Sequence, residues 1–352
     1  MSNSRLPLLS LHPREVAAIW GGDALVRHYG KPGDATATIG ESWECFDENA
    51  TSAPDGGERT LAEWRALLGA SLMGAFDPSR PFPILTKFID ARQSLSVQVH
   101  PGDAYARAVE HQPNGKTECW VVLEAVPGAE IVLGWTRATS RGEYLSRVAD
   151  GSLGELLRRV PARAGDVFHL PAGTLHAIGA GIVIYETQQT SDLTYRIFDW
   201  NRLGTDGKPR ELHLEKAADV LEYGAGARGA LTGIDYELDG LRRRTLVADE
   251  NFVVERVRLE TTAHGLDLEE MPLVVTALAN PVILEARGAT LRLEPYATAL
   301  VPAALDVVML ASEGVTAEIL TAAPPLRPDT VAQRFSRAAV DAGAATSFLA
   351  QF

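Results

Sequence analysis

Residues 165–176 read Gly-Asp-Val-Phe-His-Leu-Pro-Ala-Gly-Thr-Leu-His, a short apolar strand followed by a turn and a histidine. Gly165, Pro171, Gly173 and His176 stand at fixed offsets in this stretch, and four such residues seldom take this spacing by chance. The Pro-Gly pair predicts a tight turn after the strand. Such a turn would aim the imidazole of His176 back into the mouth of a β-barrel.

A second strand upstream carries polar side chains on one face. Residues 95–100 read Leu-Ser-Val-Gln-Val-His. Because side chains alternate along a strand, the three apolar residues share one face, while Ser96, Gln98 and His100 share the other. The apolar face suits a core, and the polar face suits the interior of a pocket.

A buried carboxylate completes the set of candidate metal ligands. Glu118 and Trp120 share one face of the apolar run 117–123. A carboxylate there is costly unless it is paired or bound to a metal. Gln98, His100, Glu118 and His176 would offer two nitrogens and two oxygens, a set that zinc accepts. We expect one Zn²⁺ per chain, although ligand chemistry alone leaves iron and manganese open.

The other histidines carry weaker signals. His169 lies next to the apolar positions of the 165–176 motif and is a secondary ligand candidate. His264 stands outside any ligand spacing, so no second site is expected in the C-terminal part. The remaining histidines follow no pattern and are expected at the surface: His12, His28, His111 and His213.

Charge and composition exclude several classes of protein. The net charge is -13 over 352 residues, which argues against a nucleic-acid partner. No run approaches the roughly 20 apolar residues that span a bilayer, and the N-terminus lacks a signal peptide. The two cysteines, Cys45 and Cys119, form no CxxC motif. These features predict a cytoplasmic protein without a membrane partner. We also expect a monomer or a weak homodimer.

Two segments have helical periodicity. Thr60 and Glu63 form a capping-box pattern ahead of an apolar stripe, which predicts a short helix ending near Leu68. A second helical stretch is expected over 139–159, with Gly151 dividing it in two.

The remainder of the chain alternates strand-like runs with Gly, Pro and Asp. Before residue 240 these runs are 84–89, 94–100, 117–123, 130–135, 166–170, 182–188 and 194–200; after it they are 252–259, 273–278, 282–286, 290–293, 298–301, 307–310 and 315–320. Residues 297–304 weakly echo 166–173. We therefore predict a mainly β protein of two antiparallel β-barrel or jelly-roll domains with a few short helices. The expected domains are 1–235, which carries the metal site, and 236–325, followed by a tail over 326–352 that packs or frays.

Several stretches together resemble a known family. The 165–176 segment resembles the second motif of the cupin superfamily, whereas the first cupin motif is matched loosely. Residues 19–22, 40–44, 88–101, 115–120 and 188–200 resemble the type I mannose-6-phosphate isomerases in their shorter bacterial form. The resemblance covers most of residues 15–215 and is weak over 240–352, where this family carries a degenerate cupin-like domain.

This resemblance implies a function and a ligand set. The function is the interconversion of mannose 6-phosphate and fructose 6-phosphate, with zinc held by Gln98, His100, Glu118 and His176. The family also uses the positions of Lys87, Ser96 and Lys116 in its pocket, so these three are candidates for substrate binding. A clamp of local cations is also required by charge, because an acidic protein repels a sugar phosphate. If the two lysines do not hold the phosphate, Arg202 or Lys208 in the loop after Trp200 is the alternative.

Aldose–ketose isomerisation needs a base that removes and returns a proton, and positive charge near the developing oxyanion. Glu186 is the leading candidate for the base, with His176 or a metal-bound hydroxide as alternatives. Arg196 is too basic to accept a proton, so we assign it to stabilising the enediolate. Asp192 either positions Arg196 or caps a turn. Glu41 and Glu44 either line the pocket or have a role in a helix or turn.

Two other functions remain possible on the sequence alone. A non-catalytic sugar-binding cupin would keep the fold and lose the chemistry, but it has no need of Glu186, Arg196, Lys87 and Lys116. An iron-dependent cupin dioxygenase favours an apolar pocket, whereas this chain offers several cations suited to a phosphate.

Overall fold

The computed structural model describes residues 6–34, 36, 38–53, 57–204, 207–225, 229–324 and 328–352. The chain forms two compact units that interleave along the sequence. The first unit comprises Met1–Arg14, Trp43–Thr86 and Thr232–Phe352, and the second comprises Glu15–Ser42 and Lys87–Leu231. The domain boundaries expected at residues 235 and 325 stay a prediction. Among the described residues, no helix is both long and apolar enough to cross a membrane.

The strands dominate the structure. In chain order they are β1 (Leu9–Leu11), β2 (Arg14–Gly22), β3 (Ile39–Cys45), β4 (Ala50–Ser52), β5 (Glu58–Thr60), β6 (Ile84–Ala91), β7 (Val97–Val99), β8 (Glu118–Ala125), β9 (Glu130–Trp135), β10 (Leu157–Pro161), β11 (Val167–Leu170), β12 (His176–Ala177), β13 (Ile182–Gln189), β14 (Tyr195–Phe198), β15 (Ile234–Leu238), β16 (Leu241–Ala248), β17 (Val253–Leu259), β18 (His264–Asp267), β19 (Leu273–Ala279), β20 (Val282–Ala286), β21 (Ala289–Leu293), β22 (Thr298–Val301), β23 (Val307–Ser312) and β24 (Ala317–Ala323).

The helices are short. They are α1 (Ala24–Arg27), α2 (Leu61–Leu68), α3 (Ala70–Met73), α4 (Asp103–Tyr105), α5 (Arg141–Asp150), α6 (Leu214–Val220), α7 (Pro328–Arg337) and α8 (Ala342–Leu349). A π-helical turn covers Ala106–Glu110, and 3₁₀ turns cover Leu153–Leu156 and Ala303–Leu305.

Two sheets form the second unit and enclose its core. Their strand orders are β11-β8-β13-β6-β3-β2 and β10-β9-β12-β7-β14. The strand pairs on which the site rests are antiparallel: β8 with β11 and β13, and β7 with β12 and β14. Trp120, Phe168 and Ile184 from one sheet and Leu133 from the other belong to one buried apolar cluster. Glu118 shares a face of β8 with Trp120 and so lies on the same side as this core, whereas Val97 and Val99 of β7 belong to another buried cluster, which leaves Ser96 and Gln98 on the opposite face of β7.

The first unit has the same general construction. A sheet of order β15-β16-β17-β24-β19-β22-β1-β4-β5 and a sheet of order β18-β23-β20-β21 contribute to a second buried cluster. Phe335 of α7 and Phe348 of α8 are buried in a further cluster beside β15. The described part of the C-terminal tail, residues 328–352, therefore packs and does not fray.

Most of the sequence-based elements are confirmed. The capping box of α2 is present in both directions, because Glu63 N donates to Thr60 Oγ1 and Thr60 N donates to Glu63 Oε2. The predicted helix over 139–159 is right as far as Asp150, where Gly151 ends α5 with a positive φ. It is wrong over 157–159, because Leu157 pairs with Trp135 and begins β10. The predicted fold class, mainly antiparallel β with short helices, is confirmed.

Candidate active site

Three of the four expected metal ligands lie together in the second unit. His100 follows β7, Glu118 begins β8 and His176 begins β12. Their ligand atoms all lie within 4.8 Å of one another. His100 Nε2 is 3.2 Å from Glu118 Oε1, and His176 Nε2 is 3.8 Å from Glu118 Oε2. The fourth, Gln98, pairs with His176 across the sheet, and its amide nitrogen lies 3.3 Å from His176 Nε2.

Hydrogen bonds to the backbone orient both imidazoles. His100 Nδ1 lies 2.7 Å from the carbonyl oxygen of Leu193, and His176 Nδ1 lies 2.8 Å from that of Thr174. A carbonyl oxygen only accepts, so each Nδ1 carries the proton and each Nε2 keeps its lone pair toward Glu118. Metal-binding histidines are commonly held in this way. The buried His100 Nε2 has no hydrogen-bond partner, which fits a position facing a metal.

The turn predicted after Pro171 links two ligands. Gly173 has a φ of +87°, a conformation that favours glycine, and its N–H donates to the carbonyl oxygen of His100 at 2.8 Å. A Cβ at this position would also meet Val220 O at 3.0 Å. The glycine therefore allows a backbone contact that fixes His176 relative to His100.

Both ligand histidines are neutral at physiological pH. Burial, together with the positive charge of Lys116, lowers the pKa of His100 to about 3, although Glu118 opposes this shift. Burial likewise lowers the pKa of His176. Neutral imidazoles are the form that binds metal, so the environment already favours ligation over protonation.

Buried charges surround the ligands. Lys116 Nζ lies 2.8 Å from Glu118 Oε1, and Lys87 Nζ lies 3.2 Å from Glu41 Oε2 and 3.7 Å from Glu186 Oε1. Although burial opposes ionisation, these ion pairs hold the pKa of Glu118 well below, and that of Lys116 above, the ordinary values. Three carboxylates thus face two ammonium groups. The surplus negative charge suits a divalent cation.

Glu186 differs from Glu118 although both are buried. Burial, followed by repulsion from Glu118, raises the pKa of Glu186 to about 7, against the attraction of Lys87 and Lys116. The indole Nε1 of Trp120 donates to Glu118 Oε2 at 3.1 Å and to Glu186 Oε2 at 2.9 Å. The other oxygen, Glu186 Oε1, has no hydrogen bond. A carboxyl that titrates near neutrality and has one open oxygen is suited to accept and return a proton.

These groups line one cavity of about 300 Å³. Its wall includes the predicted residues Glu41, Lys87, Ser96, Gln98, Lys116, Glu118, Glu186, Asp192 and Arg196. His100 and His176 lie behind this wall, each almost fully buried. The structure therefore brings the four expected metal ligands, the two catalytic candidates and the three substrate-binding candidates to one cavity or directly behind it.

Two basic residues of the cavity wall were missed. Arg210 and His213 both line the cavity, and His213, expected at the surface, is half-buried. The backbone N–H of Arg196 lies 3.2 Å from His213 Nδ1, which explains the burial. No motif marks this connection between β14 and α6, and its place on the cavity wall depends on contacts with residues distant in sequence.

Other candidates lie elsewhere. The ring of His169 is on the strand face opposite to Phe168 and Leu170, which point into the core, and His169 is not part of the ligand cluster. Glu44 belongs to the first unit, where it accepts a hydrogen bond from Thr298. Arg202 donates to Asp199 and to the carbonyl oxygen of Ser94, outside the cavity wall.

The sequence is similar to that of proteins from one enzyme family. The profile of phosphomannose isomerase type I, catalytic domain, matches residues 8–118. The mannose-6-phosphate isomerase of Streptococcus mutans is 40% identical over 263 residues, which cover 70% of this chain and 79% of that protein. The chain belongs to the type I phosphomannose isomerase family. A mannose-6-phosphate isomerase of Bacillus subtilis is 45% identical over 210 residues, 58% of this chain and 64% of that protein.

Solved structures of phosphomannose isomerases share the fold. The crystal structure of the Bacillus subtilis mannose 6-phosphate isomerase superposes with a TM-score of 0.80 at 30% identity, covering 90% of this chain and 99% of that one. The Salmonella typhimurium enzyme, solved with fructose 6-phosphate and zinc, gives a TM-score of 0.71 at 15% identity, covering 91% and 100%. At 15% identity, the similarity to the Salmonella typhimurium enzyme is evidence for the fold alone.

Proposed function

We propose that this protein is a zinc-dependent mannose-6-phosphate isomerase, which interconverts mannose 6-phosphate and fructose 6-phosphate through a cis-enediol(ate). One observation carries the proposal: a buried His100–Glu118–His176 cluster shares its surroundings with a second carboxylate, Glu186, that is poised to titrate near neutrality. A structural metal site has no use for that second carboxylate. Membership of the phosphomannose isomerase family supports the substrate.

We assign the metal to Gln98, His100, Glu118 and His176, one Zn²⁺ per chain. The donor set of two imidazoles, one carboxylate and one amide fits zinc, and the surplus negative charge around it fits a divalent cation. When bound, zinc would supply Lewis acidity that favours negative charge on the substrate oxygens during enolisation.

Glu186 is the proposed base. Its open oxygen, Oε1, would take the proton from C2 of the aldose or from C1 of the ketose, and would return it to the neighbouring carbon. The hydrogen bond from Trp120 holds the other oxygen, Oε2, in place. Because the proton leaves one carbon and enters the next, the carboxylate is regenerated in each turnover.

The cations of the cavity would orient the substrate and stabilise its oxyanion. The Arg196 guanidinium donates through Nη1 to the carbonyl oxygen of Glu211, which leaves other N–H groups for the enediolate. Lys87, Ser96 and Lys116 would contact polar groups of the sugar phosphate. Each lysine is already paired with a carboxylate, so each can orient an oxygen without adding unpaired buried charge.

The remaining sequence-based expectations belong to the same proposal. We infer a cytoplasmic enzyme, monomeric or weakly dimeric, that acts on a small sugar phosphate. The net charge of -13 weighs against a nucleic-acid partner. The catalytic function is assigned to the second unit, which contains all residues named above.

A direct test is to mix zinc-loaded protein with fructose 6-phosphate and to follow mannose 6-phosphate by NMR. We expect conversion to an equilibrium mixture, and loss of at least a hundredfold in kcat for Glu186→Gln with zinc content unchanged. A protein that holds zinc and binds fructose 6-phosphate without converting it would instead be a sugar-binding cupin.

A further inference from the structure

Four arginines form a square on one face of the larger sheet of the first unit. Two lie on β16 and two on β17, and the strand register pairs Arg242 with Arg258 and Arg244 with Arg256. All four share this face, because side chains alternate along each strand and Arg243, between the two arginines of β16, is buried on the other side. Arg256 is half-buried and the other three are exposed. These four residues are the arginine square.

The charges of the square are arranged against the stability of the sheet. On its two outer sides, arginines lie opposite carboxylates: Arg242 pairs with Glu237 of β15, and Arg258 pairs with Glu318 of β24. Between β16 and β17, in contrast, arginine lies opposite arginine in both rows. Like charges directly opposite each other destabilise a sheet. The contact between the two arginine columns therefore needs an explanation other than stability.

The ion pairs of the square are long. Arg244 Nε lies 3.5 Å from Asp235 Oδ1, and Arg256 Nη1 lies 4.0 Å from Glu318 Oε2. Within the described part of the chain, Arg242 has no ion pair and Arg256 Nε has no hydrogen bond. Most N–H groups of these three guanidinium groups are therefore open to a ligand.

Exposed arginines elsewhere in the first unit bond their carboxylates more closely. Arg287 Nη2, for example, donates to Asp306 Oδ2 at 2.9 Å. In the square, Arg258 Nε donates to Glu260 Oε1 at 3.3 Å, and this is the shortest contact that the square makes with a carboxylate of the described residues. The protein's own carboxylates thus leave the square largely unsatisfied, as a site for an outside anion requires.

The square lines a cavity of about 460 Å³, a volume that suits a small molecule. The same wall carries Asp235, Glu237 and Glu318 on the outer strands, and Arg243, whose charge is paired with the buried Glu255. A long acidic chain laid across the strands would meet the outer carboxylates. A small anion that fits between the two arginine columns would not.

The dimensions of the square specify the ligand further. Residues opposite each other on paired strands have Cβ atoms about 5 Å apart, so two facing guanidinium groups can hold one phosphate between them. Residues two positions apart on one strand are about 7 Å apart, so the two rows of the square lie at that spacing. The square therefore offers two phosphate positions about 7 Å apart.

We propose that the arginine square binds a small organic bisphosphate, with one phosphate between Arg242 and Arg258 and the other between Arg244 and Arg256. The ligand class is defined by its two dianionic groups at the spacing of the rows. This site is separate from the proposed isomerase chemistry, because the square belongs to the first unit and the residues assigned to the metal, the base and the oxyanion belong to the second.

The test is isothermal titration calorimetry with propane-1,3-diol bisphosphate, in which three carbons separate the two phosphate groups. Excess fructose 6-phosphate is present, so that the proposed active site stays filled. Arg242→Met should weaken binding tenfold to a hundredfold, the worth of a charge-assisted hydrogen bond. Arg256→Met, in the other row, should do the same. The matched control is Arg287→Met, which removes the same charge from the same unit and should change affinity less than threefold.

Propyl phosphate, which can fill one row only, should bind the unaltered protein at least tenfold more weakly than the bisphosphate. Equal affinities for the two probes would overturn the proposal. So would unchanged affinity in Arg242→Met and Arg256→Met, an equal loss in Arg287→Met, or no binding of the bisphosphate by the unaltered protein. If the square binds the bisphosphate but the protein does not convert fructose 6-phosphate, this site stands and the isomerase function fails. If the protein isomerises without binding the bisphosphate, only this site fails.

Discussion

Trp120→Phe tests whether the carboxyl that titrates during catalysis is Glu186. The indole N–H is shared between Glu118 Oε2 at 3.1 Å and Glu186 Oε2 at 2.9 Å. A hydrogen bond to a charged group contributes about 1.5–3 kcal/mol, and sharing puts the bond to Glu186 near the lower limit. Since one pKa unit corresponds to about 1.36 kcal/mol, removal of the donor should raise the pKa of Glu186 by about one unit.

The assay is the pH dependence of kcat/KM for the conversion of fructose 6-phosphate. The donor stabilises the ionised carboxylate, so its loss favours the protonated form, and the acid limb of the profile should move to higher pH by about one unit. Activity at neutral pH should fall and recover as the pH rises. Trp135→Phe is the matched control, because this equally buried indole donates to Glu222 O away from the cavity. A profile that falls equally at every pH in Trp120→Phe would refute Glu186 as the titrating base.

Three further predictions concern metal, protonation and stability. His176→Ala should lose zinc and activity together, whereas Arg196→Ala should keep one zinc per chain and lose about a hundredfold or more in kcat; a change in KM alone would contradict the role of Arg196. The pKa of His100 is about 3 in the folded chain, against a reference value of 6.5, so the unfolded chain takes up the proton first as the pH falls. Metal-free protein should therefore lose stability between pH 6.5 and pH 3. Urea unfolding at several pH values measures this, and the dependence should be weaker in His100→Asn. Arg334→Met should destabilise the protein by about 1.5–3 kcal/mol, because Glu269 loses its ion pair with Arg334 and the buried Glu255 keeps its ion pair with Arg243 but loses the one with Arg334; the exposed Arg337→Met should cost less than about 1 kcal/mol, and equal effects of the two variants in thermal and urea unfolding would contradict this.

Sequence patterns only a few residues long were sufficient to predict several local features of the structure. The alternation of residues 95–100 is sufficient to put Ser96 and Gln98 on the cavity side, and the Thr60–Glu63 capping box is sufficient to start α2. The turn at Gly173 could also be predicted, because a positive φ favours glycine and the sequence has a glycine at this position. In each case the physical cause lies within a few residues of the feature.

Features that depend on distant partners were not readable. Residues 157–159 look helical by periodicity, but pairing with β9 makes them a strand. His213 joins the cavity through hydrogen bonds with Arg196, seventeen positions away in sequence: its Nδ1 accepts from the N–H of Arg196, and its own N–H donates to the carbonyl oxygen of Arg196. The interleaving of the two units likewise follows from which strands pair, and not from any local composition. A single sequence shows which residues can be ligands or strands, but not which distant partner each one meets.

The catalytic metal site is tested most directly by the initial rate of mannose 6-phosphate formation from fructose 6-phosphate, measured on one metal-free preparation as zinc is added from zero to two equivalents. We expect negligible activity without metal, a linear rise to one equivalent per chain, and a plateau beyond it. The same titration with His100→Ala should stay flat. Full activity in the metal-free protein, or no activity at one bound zinc per chain, would contradict the assignment of His100, Glu118 and His176 to a catalytic metal site.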